Sequence, residues 1–393
     1  MSGWLTARKA GAGVGRIWLM RRMWASRAPI RCTICPRFGS RSVSMTCTGS
    51  AAPAAPSMSG CWRRRCRAHR RVTVQTSKTL AVYLLVYQHV PVARCGQLIA
   101  DLCGGAGPSE GFVHGMLARC AKALAEVVGV IKTLITAAHV VGFDETTLRC
   151  GVAAAKKYVL SASTENATVY HLGGRDLDSF AEAGILPQFA GVAVHDRYAN
   201  YFHRRWANLA GHQACNSHLL RDFADAEQAY PDQHWPAQAQ RALRGLIRAW
   251  HTARAQGMAE ITEPLREALT LEFRRAIRVG LAQVPRVPGP RHCTAQHPGR
   301  ELLEFCRDRE DDVLRFCFDT RIWPTNNISE RDLRPTKTQQ KISGRLTSET
   351  VTQDRLDIRS YIDTARKHGA DVITALRLAI TGNPWKPAIP APA

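Results

Sequence analysis

The fold is decided by two short stretches of sequence, His139-Val-Val-Gly-Phe-Asp144 and Gly191-Val-Ala-Val-His195-Asp196. Each is an apolar run of strand length that ends in an aspartate. Short apolar runs beside turn-forming residues predict buried β-strands. If the two strands lie side by side and parallel, Asp144 and Asp196 project into one crevice at the edge of a sheet.

Two more strands are predicted between these stretches, over residues 157–163 and 168–172, with a turn at Glu165-Asn166 between them. Residues 176–183 are predicted to form a short helix. Three meandering strands, a helix and a strand parallel to the first predict an α/β fold. This order is the opening of an RNase H-like fold, a mixed sheet with helices on both faces.

The pattern also divides the chain into segments. An all-α lead-in is expected over residues 76–137, with a long helix that begins at Ser109-Glu110. The RNase H-like core is expected over 138–360, with a helical insertion at about 217–318. Residues 361–393 are expected to form a C-terminal helix and tail.

For two helices in the second half of the chain, the sequence also predicts where they begin or end. One is expected to run without interruption from Arg300 to about Phe318. The other contains Glu330, and Thr325 or Asn326 is a good N-cap for it. Pro335 should end or kink this helix, because proline lacks the backbone N–H that a helix interior needs.

Charge is distributed unevenly along the chain. The 393 residues carry 54 Lys and Arg against 32 Asp and Glu, a net charge of +22, which predicts a polyanionic partner such as nucleic acid. The first 100 residues contain 17 Lys and Arg and no acid. We interpret residues 1–75 as a basic leader of low order with the composition of an out-of-frame translation. The alternative is a zinc-containing DNA-binding arm, with Cys32-x-x-Cys35 as half of the site.

Composition excludes two classes of protein. A chain that is 45% hydrophobic and 22% charged is not disordered for most of its length. The longest apolar stretch, residues 125–143, is interrupted by Lys132 and His139, so no membrane span is predicted. No secretory signal is recognisable, and the 13 cysteines are expected to be free thiols of a cytoplasmic protein.

Three acids are candidate catalytic residues and metal ligands: Asp144, Asp196 and Glu330. Two follow neighbouring predicted strands, and the third, on a later helix, can close the site from the side. Converging carboxylates form an all-oxygen ligand set that suits Mg²⁺, with Mn²⁺ as a substitute, and two such ions can activate a hydroxyl against a phosphodiester. The alternative is a chance triple, since strand-end aspartates are also common turn formers.

Basic side chains follow the third acid closely. A phosphate-contacting function on DNA is the favoured interpretation, and a solvated basic face is the alternative. The residues of this basic strip are Arg331, Arg334, Lys337, Lys341 and Arg345.

Histidines near these acids have less certain roles. His212, Cys215 and His218 have a zinc-like spacing, but a fourth ligand is missing, so metal binding there is the less favoured interpretation. His195 could contact a substrate phosphate or make a structural hydrogen bond. Asn326 and Asn327 could cap the helix of Glu330 and position it.

Four sequence motifs resemble those of the insertion sequence 66 transposase family, and they occur in the same order. The resemblance extends from about Leu80 to Pro387. The motifs are Phe-Asp144-Glu-Thr-Thr, His195-Asp196-Arg-Tyr-Ala-Asn-Tyr, Cys215-Asn-Ser-His218-Leu-Leu-Arg221-Asp and Pro324-Thr-Asn-Asn-Ile-Ser-Glu330-Arg-Asp-Leu-Arg-Pro.

The resemblance implies a DDE transposase of a bacterial insertion sequence, in which Asp144, Asp196 and Glu330 hold the metal ions for strand cleavage and strand transfer. It implies DNA as partner, both element ends and target, together with a homo-oligomer, accessory transposition proteins and a nucleoid-associated location. Family members carry a helix-turn-helix and a cysteine-containing segment ahead of the lead-in, and residues 1–75 depart from that pattern.

Two alternatives follow from this departure. The chain could be a catalytically silent, DNA-binding remnant of such a transposase. It could also be an RNase H-like nuclease that cleaves DNA without element ends.

Overall fold

A computed structural model describes residues 76–103, 107–151, 153–288, 297, 299–344 and 346–388. The predictions for the leader, residues 1–75, and for Arg345 lie outside the described residues. Among the helices described, none is both long and apolar enough to cross a lipid bilayer.

A five-stranded mixed sheet lies at the centre of the described chain. Its strands are β1 (Val140–Cys150), β2 (Ala155–Ser163), β3 (Thr168–Gly173), β4 (Val192–His195) and β5 (Gly211–Ala214). The spatial order is β3-β2-β1-β4-β5; β1, β2 and β3 pair antiparallel, whereas β4 is parallel to β1 and to β5. The α/β class and the parallel fourth strand are therefore confirmed. β5 is an addition, because Gly211-His-Gln-Ala lacks the apolar run that signals a strand.

The first strand is longer than predicted. It does not end at Asp144 but continues to Cys150, because residues beyond Asp144 pair with β2 from Glu145↔Leu160 to Cys150↔Ala155. Its parallel pairing with β4 is confined to Val140–Gly142. Asp144 thus lies within a strand, just beyond the point where the parallel partner ends.

Helices cover both faces of the sheet. They are α1 (residues 76–82, followed by a π-helical turn, Tyr83–Tyr87), α2 (Val92–Cys103), α3 (Glu110–Thr136), α4 (Leu177–Glu182), α5 (Asn216–Ala229), α6 (Trp235–Ala255), α7 (Glu263–Gln283), α8 (Arg300–Asp308), α9 (Glu310–Leu314), α10 (Asn327–Ser343), α11 (Glu349–Lys367) and α12 (Val372–Ile380). The predicted start of α3 is confirmed, since the Ser109 hydroxyl accepts a hydrogen bond from the Phe112 N–H at 3.3 Å.

Alternation along β1 divides the apolar core into two clusters. Val141 and Phe143 pack with α1, α3, α11 and α12 on one face of the sheet. Val140, on the opposite face, packs with Val192 and Val194 and with the helices of the predicted insertion, α5 to α8. Successive strand residues point to opposite faces, so one strand anchors both layers.

One helix prediction is wrong and another is wrong in part. The helix expected over 300–318 is broken at Arg309, which leaves the helical backbone region while its guanidinium lies 4.0 Å from the Phe202 ring centroid. From the sequence, Pro335 is expected to end or kink its helix, and it does not end it: α10 runs through the proline to Ser343. Proline disturbs the hydrogen bonds of the preceding helical turn. In that turn, the carbonyl of Asp332 accepts a hydrogen bond from the Tyr170 hydroxyl at 2.8 Å.

Candidate active site

The register of the sheet brings Asp144 and Asp196 to the same level. Gly142 of β1 pairs in parallel with Val194 of β4, and each aspartate lies two residues further along its chain. Adjacent strands are about 4.8 Å apart, so the two aspartates flank one crevice where β4 ends.

Each aspartate is fixed by its own backbone surroundings. The Ser161 hydroxyl donates to the Asp144 carbonyl at 3.1 Å, and the Glu145 N–H donates to Asp144 Oδ1 at 2.9 Å. Asp196 Oδ1 accepts the Tyr198 N–H at 2.8 Å, while its Oδ2 lies 3.7 Å from the Arg175 guanidinium. At least one oxygen of each carboxylate is thus engaged locally, which restricts the orientation of both side chains.

Glu330 lies in the N-terminal turn of α10, and this turn packs directly on β1. The Asn326 side-chain amide donates to the Phe143 carbonyl at 2.6 Å. A Cβ added at Gly142 would lie 2.5 Å from Ser329 Oγ, so only glycine lets the helix approach this closely. Asn326 occupies the predicted N-cap position, but its side chain makes no cap hydrogen bond, and its amide ties α10 to β1 instead.

The electrostatics of the crevice reflect this crowding of acids. Burial and the charges of Glu145, Asp196 and Glu330 raise the pKa of Asp144 to about 7. Glu330 Oε1 is buried and lacks a hydrogen-bond partner, although His218 Nε2 lies 3.5 Å away. A divalent cation in the crevice would relieve the repulsion that the neighbouring charges impose on Asp144. The charges of Asp196 and Glu330 thus both reach Asp144, so the three acids share one neighbourhood, but within the described chain their oxygens do not form a group within 4.8 Å of one another.

Glu145 is a further acid that sequence reasoning did not single out. Its side chain is only 2% exposed, and its two oxygens accept from Arg175 Nε at 2.7 Å and from the Tyr201 hydroxyl at 2.6 Å. Arg175 also stacks on Tyr198, with 3.8 Å between the guanidinium carbon and the ring centroid. Because both oxygens of Glu145 are engaged, it orients Arg175 towards the crevice. The sequence signal that could have identified Glu145 is its position directly after Asp144.

His195, His212 and His218 fall into two groups in the structure, and their spacing in the sequence does not predict this grouping. His195 is fully buried, stacks on Tyr201 and shares a 3.1 Å hydrogen bond with His212, so its role is structural. Burial lowers the pKa of His195 to about 3, which keeps it neutral. His212 therefore lies apart from Cys215 and His218.

Cys215 and His218 instead meet Glu330. One ligand atom from each of the three residues lies within 4.8 Å of the other two, and this is the metal-ligand grouping found among the described His, Cys, Asp and Glu residues. Sequence spacing had suggested the first two as ligands, but with the wrong third partner.

Basic side chains lie on α10 just after Glu330. Arg331, Arg334, Lys337 and Lys341 are all exposed, and within the described chain none of the four forms an ion pair. Their charges are free to meet a polyanion.

Comparison with a family profile identifies what the chain is similar to. A search of the curated proteins finds no match for the chain. The sequence profile described as the transposase IS66 family matches residues 73–354, which include all three acids of the crevice. Because this match covers more than two thirds of the chain, the protein belongs to the IS66 family of transposases.

Proposed function

We propose that this transposase is of the DDE type and that Asp144, Asp196 and Glu330 hold divalent metal ions, Mg²⁺ or Mn²⁺, for cleavage and transfer of DNA strands. The parallel register that aligns Asp144 with Asp196 carries the proposal. The raised pKa of Asp144 supports it, since the charges of the other two acids contribute to the shift. An RNase H-like core is supported by the strand order β3-β2-β1-β4-β5, with only β2 antiparallel to β1.

Bound metal would activate a water or a 3′-hydroxyl and stabilise the leaving oxygen of a phosphodiester, with no protein nucleophile. The protein supplies the rest. The close packing of the first turn of α10 on Gly142 would hold Glu330 near the two aspartates. Arg175, held by Glu145 and Tyr198, keeps a positive charge 3.7 Å from Asp196, beside the path of an anionic strand.

The substrate would approach along α10. Arg331, Arg334, Lys337 and Lys341 offer unpaired charges to DNA phosphates, so their contribution would be sensitive to salt and insensitive to sequence. Arg345 is proposed for the same strip from its sequence position. The partners of the reaction would be element ends and target DNA, handled by a homo-oligomer with accessory transposition proteins.

The decisive test is strand cleavage and joining on labelled DNA that carries the element ends, with Mg²⁺. Asp196→Asn should lower the rate by at least about a thousandfold, since lost metal stabilisation of several kcal/mol corresponds to such a factor. Asp178→Asn is the matched control, because the Asp178 side chain is 82% exposed and, within the described chain, forms an ion pair with the exposed Arg205. A wild-type rate in Asp196→Asn, with both variants folded, would refute the DDE assignment.

A further inference from the structure

The second ligand set at Glu330 differs chemically from the proposed magnesium site. Cys215 offers a sulfur, His218 an imidazole nitrogen and Glu330 a carboxylate oxygen, all within 4.8 Å of one another. Sulfur and imidazole ligands favour Zn²⁺ and related transition metals, whereas Mg²⁺ prefers oxygen alone. The two sets share Glu330.

The local geometry is close to that of a zinc site with one open position. His218 Nε2 and Glu330 Oε1 are 3.5 Å apart, and two tetrahedral zinc ligands at ordinary bond lengths are separated by about 3.4 Å. The side chains of His218 and Glu330 are 29% and 30% exposed, so an ion could enter from the crevice and keep a water ligand. Cys215, which is fully buried, would form the inner wall.

Cys215 is also prepared to carry the charge of a bound thiolate. It occupies the N-cap position of α5, and its sulfur accepts the Asn326 N–H at 3.2 Å. A helix N-terminus and a backbone donor both favour negative charge on sulfur. Burial raises the pKa of the free Cys215 thiol, so an entering ion would have to displace its proton.

We propose that Cys215, His218 and Glu330 form a transition-metal site selective for Zn²⁺, and that its occupation withdraws Glu330 from the acidic crevice and inhibits the transposase. The binding part stands on the cluster alone. The inhibitory part rests on the proposed function, because it needs Glu330 to serve the magnesium site.

Binding is tested in the full-length chain with the five leader cysteines changed to serine, which removes the competing thiols of the leader. Those five are Cys32, Cys35, Cys47, Cys61 and Cys66. Co²⁺ is the spectroscopic probe, and displacement by Zn²⁺ gives the zinc affinity. We expect one equivalent of Co²⁺ with a thiolate-to-metal charge-transfer band.

Two variants and two controls locate that ion. Cys215→Ser should abolish the charge-transfer band. Removing a partner of a metal ligand weakens metal binding about tenfold to a hundredfold. His218→Gln removes a ligand itself, so it should weaken Co²⁺ binding by more than that. Cys317→Ser and His251→Gln, a buried cysteine and an exposed histidine outside the cluster, should leave the band unchanged. A parent without the band, or a band that survives His218→Gln, would overturn the site.

Inhibition is measured separately as the ratio of cleavage with and without Zn²⁺, at constant Mg²⁺, within each variant. Zn²⁺ should inhibit the parent protein and the His251→Gln control, and His218→Gln should shift the inhibitory concentration upward at least about tenfold. Equal Zn²⁺ sensitivity of His218→Gln and parent would overturn the inhibitory part. A parent that binds Zn²⁺ but never cleaves DNA with Mg²⁺ would instead refute the proposed function and leave the binding site standing.

Discussion

Asp144 shows how a single residue can be kept in an unfavourable state by its neighbours. Its carboxylate is half-buried and shares the crevice with the charges of Glu145, Asp196 and Glu330, which together with burial bring its pKa to about 7. An acid whose pKa is raised by folding binds its proton more tightly in the folded state. Stability therefore falls as pH rises from about 4 to 7, and the full penalty is present above pH 7.

Asp144→Asn should remove this penalty. In metal-free buffer at pH 8 we expect a higher free energy of unfolding than in the wild type, by up to about 4 kcal/mol, since one pKa unit corresponds to about 1.4 kcal/mol. Below about pH 4 the two proteins should be equally stable, because Asp144 is then neutral in both states.

Denaturant unfolding at several pH values measures the effect, and Mg²⁺ provides the control. Wild-type protein at pH 8 should gain stability on addition of Mg²⁺, and Asp144→Asn should gain much less. A difference between the proteins that is the same at pH 4 and pH 8 would contradict the assigned repulsion.

At the scale of elements, the site depends on how closely α10 can approach β1. Gly142 is the contact point, and Asn326 and Ser329 both lie where its missing side chain would be, at 2.7 Å and 2.5 Å from an added Cβ. Glu330 follows Ser329 directly, so any shift of this turn moves the third acid.

Gly142→Ala should therefore displace the start of α10. We expect a loss of about 1 to 3 kcal/mol in the free energy of unfolding, the usual cost of overpacking, together with a loss of strand cleavage. Gly129→Ala is the matched control: Gly129 is exposed in α3 with no atom within 4 Å of an added Cβ, so it should gain about 0.5 to 1 kcal/mol from helix propensity. Wild-type cleavage by Gly142→Ala would show that the seating of α10 does not set the position of Glu330.

At the scale of the whole molecule, the net positive charge is concentrated in the first part of the chain, whereas the proposed site lies in a later part. The acid-free first 100 residues hold 17 of the 54 basic residues, whereas all three acids of the crevice lie in the segment matched by the family profile. Overall basicity is therefore a poor guide to where DNA would meet the proposed site, and the local strip on α10 is a better one.

Deleting residues 1–75 should lower the overall basicity of the protein without lowering its thermal stability. We expect an unchanged thermal unfolding midpoint and a weaker affinity for random-sequence DNA at low salt, because the deletion removes many positive charges. Calorimetry and a salt titration of DNA binding measure the two effects, with the full-length chain as reference. A fall of more than about 4 °C in the midpoint would show that the leader stabilises the folded unit.

The sequence by itself determined the α/β class and the parallel fourth strand, and it singled out Asp144, Asp196 and Glu330 as the acids of the proposed site. It could do so because apolar periodicity is local and because the words around these acids resemble those of one family. It misjudged the end of β1, the break at Arg309 and the continuation of α10 past Pro335. The first depends on pairing with β2, and the other two lie where side chains far away in the sequence, Phe202 and Tyr170, contact the chain.

Only the tertiary structure decided which side chains meet. His212 pairs with His195, while Cys215 and His218 join Glu330 from more than a hundred residues away. The seating of α10 on Gly142 and the engagement of Glu145 by Arg175 were equally hidden from the sequence. The physical reason is that spacing along the chain fixes only which face of an element a residue occupies, whereas the neighbour of that face is set by packing between elements.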